Sequence, residues 1–181
     1  NRLTNKARLV AGYCWNWASK KDKEQFDIVI PKYEFKAQWN LTEDGSLWLI
    51  AEDSVNQIGC IHTCQGLELD YIGVIIGEDF VIRDGVAFTD ASKRSSNDRS
   101  IRGYKTMLKK DPEKAARLTT EIIKNTYRTL MTRGQKGCYI YCVDAETGDY
   151  FKNITQSVIE NTPTSFSPYQ GLNLPIVSIE D

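Results

Sequence analysis

Apolar positions along the chain follow two different periods. Several short runs of apolar and β-branched residues predict strands, and one long segment with an apolar residue every three to four positions predicts a helix. That helix starts at Asp111-Pro112, an N-cap followed by proline, and continues to Arg133, where Gly134 can close it. Its predicted apolar stripe consists of Ala115, Leu118, Ile122 and Thr126, widened by Ile123, Tyr127 and Leu130. The strands are predicted over residues 7–15, 26–30, 57–63, 71–77 and 137–143, and a last helix over 150–161.

The order of these elements predicts the fold class. Asp84-Gly85 between β-type residues indicates a hairpin within residues 81–89, and a Ser-rich polar stretch then predicts a flexible basic loop over about 90–110. Because strands alternate with helices, we expect an α/β fold with a mostly parallel sheet flanked by helices. We expect one domain over residues 1–160, followed by a tail over 161–181 that holds three of the five prolines.

Charge narrows the classes of function. The chain has 181 residues, the length of one ordinary domain, and its net charge of -1 excludes a uniformly basic nucleic-acid-binding protein. Residues 93–110 nevertheless contain seven Lys or Arg residues and one Asp, a local charge of +6. Arg99, Arg102 and Lys105 in this segment predict a contact with a phosphate backbone, and Tyr104 offers a ring for stacking. The alternative is a solvated insertion without a partner.

Compartment can be inferred only indirectly from the sequence. No apolar run approaches the roughly 20 residues needed to cross a bilayer, so we expect no membrane span. The chain starts at Asn1 with no signal region, which we interpret as a piece of a longer cytoplasmic protein. Its five cysteines lie in apolar, strand-like surroundings, which favours reduced core thiols in the cytosol.

The single histidine lies between two cysteines, Cys60 and Cys64. A zinc site is disfavoured because no second ligand pair follows, so we predict no metal site in the chain. A thiol-dependent hydrolase with His62 as the base is an alternative, but the sequence lacks a glycine-rich oxyanion turn beside these residues.

The chain also contains neither a P-loop nor a dinucleotide-binding glycine motif. If a nucleotide is used, another domain must supply its phosphate cradle.

Two longer segments resemble helicase motifs. Residues 61–70, followed by an apolar strand, resemble motif V of superfamily 1 helicases, and residues 125–133, followed by the next strand, resemble motif VI. Their sequences are most similar to those of the Schlafen-like DNA/RNA helicase and ATPase family. Residues 8–17 and 137–141 also resemble segments of that family. The resemblance covers about residues 7–144, without the Walker A, Walker B and motif IV segments expected upstream.

This resemblance implies the second RecA-like domain of a nucleic-acid-dependent, helicase-like ATPase. In the full-length protein, ATP and Mg²⁺ would lie between it and an N-terminal RecA-like domain of the same polypeptide, and DNA or RNA would be the other partner. The isolated chain is expected to be inactive. The resemblance assigns Arg133 as the catalytic arginine finger, Gln65, Gly66, Glu68 and Arg128 to the nucleotide side, and His62 to nucleic acid.

Two alternatives from the sequence stay open. A non-catalytic interaction domain would keep the same fold but would place no arginine at an ATP cleft. Trp15 and Trp17 either stack on bases or pack in the core, and core packing is favoured.

Overall fold

The computed structural model describes residues 6–40, 48, 52–64, 66 and 68–161. Within them the chain forms a six-stranded sheet, a separate hairpin and three α-helices. The sheet strands are β1 (Ala7–Ala11), β2 (Ile28–Ile30), β3 (Phe35–Trp39), β4 (Gln57–Gly59), β5 (Leu69–Ile76) and β8 (Gly134–Cys142). The hairpin is β6 (Phe80–Arg83) and β7 (Val86–Thr89). The helices are α1 (Tyr104–Lys110), α2 (Pro112–Met131) and α3 (Ala145–Asn161).

The six strands lie in the order β2-β3-β4-β1-β5-β8. All neighbouring pairs are parallel except β2 with β3, which is antiparallel at one edge. In the centre, Val10 of β1 is aligned with Gly59 on one side and with Val74 on the other. The expected α/β fold with a mostly parallel sheet is confirmed.

Helix α2 begins as predicted, and its buried stripe differs from the predicted one at three positions. The Asp111 side chain accepts a hydrogen bond from the amide of Lys114 at 3.0 Å, and Pro112 is the first helical residue. The prediction that Leu118 and Ile122 face the core is wrong, because both are only half-buried. The buried residues are Ala115, Thr119, Ile123, Thr126, Tyr127 and Leu130.

The buried stripe contains two threonines, Thr126, which the prediction includes, and Thr119, which it misses. The hydroxyls of Thr119 and Thr126 donate to the carbonyls of Ala115 and Ile122, each at 2.8 Å. Because these hydrogen bonds stay inside the helix, the threonines can be buried without an unpaired polar group. The pattern of apolar residues does not reveal Thr119, because its burial depends on this internal hydrogen bond.

The end of α2 also differs from the prediction. The helix ends at Met131, and Gly134 is the first residue of β8 rather than a helix terminator. A Cβ at Gly134 would lie 2.3 Å from the carbonyl oxygen of Gly137 and 2.9 Å from Ile72 Cγ2. Glycine is therefore required there by close packing at the start of the strand.

The hairpin is confirmed, whereas the loop after it is not. Asp84 and Gly85 have φ values of 49° and 76°, as the tight turn between two antiparallel strands requires. The predicted loop over 90–110 instead contains 3-10 turns at Ala91–Lys93 and Arg99–Ile101, and then α1. Of the predicted tail, residues 162–181 lie outside the described residues.

The two faces of the sheet are covered differently. Ile72, Val74 and Ile76 of β5 pack in one cluster with α2, while Ile75 packs in a second cluster made of strand and loop residues. On that second side Leu9 is 38% exposed and Tyr139 is 61% exposed. In the part of the chain that the structure describes, no helix is long and apolar enough to span a membrane.

Candidate functional site

The segment between β4 and β5 runs from one edge of the sheet to the other. Because β4 and β5 are parallel to the same neighbour, the segment leaves the carboxyl edge after Gly59 and returns at the amino edge before Leu69. His62 therefore lies beyond the carboxyl edge and Glu68 lies at the amino edge. Helix α2 also ends at the amino edge, where Arg133 precedes β8. The residues implied by the resemblance thus divide into two groups.

At the amino edge, Arg133 and Glu68 are neighbours, as the motifs predict. The amide of Leu69 donates to the carbonyl of Arg133 at 3.0 Å, and Gln135 Nε2 donates to Glu68 Oε2 at 2.8 Å. The half-buried Arg133 side chain donates from Nε to the carbonyl of Thr129 at 3.2 Å. The segments of two residues that the resemblance assigns to one ATP site therefore lie at the same edge of the sheet, while the catalytic roles of the two side chains stay predictions.

The remaining residues assigned to the nucleotide side lie nearby along the chain. Gly66 is exposed and has a φ of 75°, a left-handed conformation that glycine adopts without strain. Arg128 is exposed on α2, between the buried residues Tyr127 and Leu130. Gln65 lies outside the described residues.

Two adjoining cavities follow the carboxyl edge. The first has a volume of about 430 Å³ and the second about 670 Å³, and both are lined by Asn97 and Arg99. The first brings His62 together with Trp17 and Lys20, and the second adds Arg102, Tyr104 and Lys105. Apart from Arg94, whose side chain is fully buried, five basic residues line these cavities, and we call them the carboxyl-edge track: Lys20, His62, Arg99, Arg102 and Lys105.

The track combines exposed cations with aromatic rings. Arg99, Arg102 and Lys105 are exposed, and Lys20 Nζ lies 5.5 Å from the centre of the Trp17 ring. None of the described residues that line the first cavity is acidic. Cations that follow a backbone, interspersed with rings on which bases stack, are the pattern of single-strand binding surfaces. Sequence reasoning found four of the five basic residues but missed Lys20, whose only signal was its position near Trp17.

One basic residue of the predicted patch is not available to a ligand. The side chain of Arg94 is fully buried, with Nη1 2.9 Å from Asp79 Oδ2 and Nη2 2.6 Å from Asp98 Oδ2. The buried hydroxyl of Tyr127 donates to the other oxygen of Asp79. We call these four side chains the buried lock: Asp79, Arg94, Asp98 and Tyr127. Arg94 is structural, so its charge does not count toward the surface patch.

The cysteines do not form a reactive site. Cys64 is fully buried, and burial raises the pKa of its thiol to about 12, with Cys60 adding to the shift and Arg133 opposing it. His62 is exposed, so the thiol and the imidazole have opposite environments. Among the described residues, no three His, Cys, Asp or Glu side chains converge as metal ligands. Cys138 is exposed, which corrects its assignment to the core.

Comparison with known proteins gives one family match. The family model described as "Schlafen group 3, DNA/RNA helicase domain" matches residues 1–144. The uncharacterized protein YPL245W of Saccharomyces cerevisiae is 29% identical over 114 residues, which are 62% of this chain and 24% of that protein. The chain therefore spans about a quarter of that relative's length. No solved structure matches the chain.

Proposed function

We propose that the chain is the second RecA-like domain of a nucleic-acid-dependent ATPase. The basis is its family, since the chain belongs to the Schlafen group 3 DNA/RNA helicase domain family. Its amino edge completes an ATP site that an N-terminal RecA-like domain of the same polypeptide holds. Its carboxyl-edge track binds DNA or RNA. ATP and Mg²⁺ belong to the full-length protein, because this chain has no phosphate-binding loop.

The observation that carries this proposal is the pairing of Arg133 with Glu68. Their segments are far apart along the chain, yet the hydrogen bond from Leu69 to Arg133 brings them together. An arginine fixed at such an edge stabilises the charge that develops on the transferring phosphoryl group, because its guanidinium stays protonated and is planar. Glu68 beside it offers a carboxylate to the nucleotide sugar.

The test is ATP turnover by the full-length protein with Arg133→Ala, compared with Arg128→Ala. A finger acts mainly in the transition state, so we expect Arg133→Ala to lower turnover on the order of 10³-fold and to change ATP affinity little. Arg128→Ala is expected to have a much smaller effect. The 181-residue chain alone is the negative control and should not hydrolyse ATP.

Three results would contradict the proposal. Turnover by the chain alone, insensitive to further purification, would mean that the ATP site is not shared. Near-normal turnover by Arg133→Ala with a large loss in Arg128→Ala would move the finger to Arg128. A full-length protein without any ATP turnover would favour a non-catalytic interaction domain.

A further inference from the structure

Tyr127 joins the carboxyl-terminal part of α2 to the carboxyl end of β5. Its hydroxyl donates to Asp79 and accepts a hydrogen bond from the amide of Gly77 at 3.0 Å. The ring also packs against Phe80, with the ring centres 5.5 Å apart. The side chain is 1% exposed, so water cannot replace these partners. The helix is thus tied to the carboxyl edge by one hydroxyl group.

The buried lock continues from this hydroxyl to the carboxyl-edge track. Asp79 forms an ion pair with Arg94, and Arg94 forms a second ion pair with Asp98. Asp98 Oδ1 in turn accepts a hydrogen bond from the amide of Ser100 at 2.9 Å, which caps the turn Arg99–Ile101. Arg99, shared by both cavities, therefore follows directly after the last member of the lock.

The lock depends on every hydrogen-bond donor that it contains. It holds two carboxylates and one guanidinium, so hydrogen bonds from Tyr127 and from backbone amides must stabilise the excess negative charge. Burial, followed by the nearby Cys14 and Asp79, raises the pKa of Tyr127, and its hydroxyl stays a donor at neutral pH. Loss of this donor would take the Tyr127 hydrogen bond from a buried carboxylate, which is costly enough to make the group reorient.

We infer that Tyr127 is a positioning residue, which through the buried lock sets the place of Arg99 in the carboxyl-edge track. The inference rests on the proposed nucleic-acid binding by that track. Tyr127 itself touches no ligand, since its hydroxyl is enclosed by protein. Its effect on affinity therefore has to pass through Arg99.

The test is a double-mutant cycle on the 181-residue chain with Tyr127→Phe and Arg99→Ala. The probe is a fluorescent oligothymidylate, and both affinity and melting temperature are measured. We expect Tyr127→Phe to weaken binding roughly tenfold, within the range of coupling energies for residues in one hydrogen-bond network. In the Arg99→Ala background, Tyr127→Phe should have little further effect.

The matched control is Thr126→Val, which removes a buried hydroxyl from the same helix but outside the lock. It should lower the melting temperature in the same direction as Tyr127→Phe while keeping the wild-type affinity. Asp98→Asn weakens the lock at its other end and leaves α2 intact, so it serves as the second variant if Tyr127→Phe does not fold. We expect it to weaken binding as well.

Four results separate the inference from the proposed function. The inference is overturned if Tyr127→Phe binds like the wild type, if Thr126→Val loses as much affinity, or if the losses from Tyr127→Phe and Arg99→Ala simply add. If the wild-type chain does not bind the oligonucleotide, the nucleic-acid part of the proposed function fails, and the inference fails with it.

Discussion

The main-chain amide of Leu69 donates a hydrogen bond to the carbonyl oxygen of Arg133 at 3.0 Å. Two side-chain contacts flank this bond, from Gln135 to Glu68 at 2.8 Å and from Lys136 to Asp70 at 3.0 Å. The pairing of the two motif segments is therefore made at the start of two adjacent parallel strands. Because backbone atoms make the central bond, replacing the Arg133 side chain should leave Glu68 in place.

The carboxyl-edge track should behave as a surface that binds phosphates without sequence preference. We expect replacement of Arg99, Arg102 and Lys105 by Ala to weaken oligonucleotide binding and to flatten the slope of log affinity against log salt by up to about 2 to 3 units. The matched control replaces three exposed lysines elsewhere: Lys32, Lys124 and Lys152. An equal effect in this control would show that only total charge matters.

Gly12 should tolerate no side chain. A Cβ at this position would lie 2.0 Å from the Tyr127 hydroxyl oxygen, inside the core. We expect Gly12→Ala to lower the free energy of unfolding by about 1–3 kcal/mol or more, measured by urea denaturation. Gly148→Ala is the control, because a Cβ inside α3 meets its nearest atom at 3.8 Å and should stabilise the helix by roughly 0.5–1 kcal/mol. Equal behaviour of the two variants would contradict the observed packing.

Asp144 should make stability depend on acidic pH. The hydrogen bond from Arg83 holds the pKa of Asp144 well below its usual range, with further help from Thr147 against the effect of burial. A lowered folded-state pKa contributes stability above the unfolded pKa of about 4, and this contribution is lost as the pH falls toward the folded value. Asp144→Asn should therefore lower the melting temperature at pH 7.

The difference between Asp144→Asn and the wild type should shrink below about pH 4, where the wild-type contribution is lost too. Asp149→Asn, an exposed acid on the same helix, should change the melting temperature little at either pH. If the difference in melting temperature between the wild type and Asp144→Asn stays constant from pH 7 down to pH 2, the charge of Asp144 does not cause that difference.

The thiols should react with a disulfide reagent in an order set by exposure. Cys138 is exposed, whereas Cys64 is fully buried and its pKa is raised to about 12 by burial first of all. At pH 8 we expect Cys138 to react first and Cys64 only after unfolding. The Cys138→Ser variant should lack the fast phase. Fast labelling of Cys64 in the folded protein would contradict this prediction and support the hypothesis of a thiol-dependent hydrolase.

Features with a local cause could be predicted from the sequence. Asp111-Pro112 starts a helix and Asp84-Gly85 turns a hairpin because the residues concerned make their own hydrogen bonds or adopt the required φ. Helix α3 starts at Ala145, earlier than predicted, because the side chain of Asp144 accepts a hydrogen bond from the Thr147 amide at 2.9 Å. That cap is also local, and sequence reasoning missed it.

Features that depend on distant partners could not be predicted. From the sequence, Arg94 is predicted to be a surface cation. The fold instead buries it in an ion pair with Asp79, which comes from another part of the chain. Lys20 joins the track only because the irregular chain after β1 folds toward His62. The segments of Arg133 and Glu68 adjoin at one edge of the sheet, and apolar periodicity could not predict a contact between positions so far apart along the chain.

The strand order of the central sheet determines when the chain can fold during synthesis. Among the described strands of the sheet, β1 comes first along the chain, yet its neighbours β4 and β5 begin 46 and 58 residues after its last residue, Ala11. At a synthesis rate of roughly 5–20 residues per second, this strand waits several seconds with both edges unpaired. Closing such long loops also slows the pairing itself. Among the six strands that the structure describes in this sheet, β1, one of the two central strands, thus waits longest for its first neighbour during synthesis.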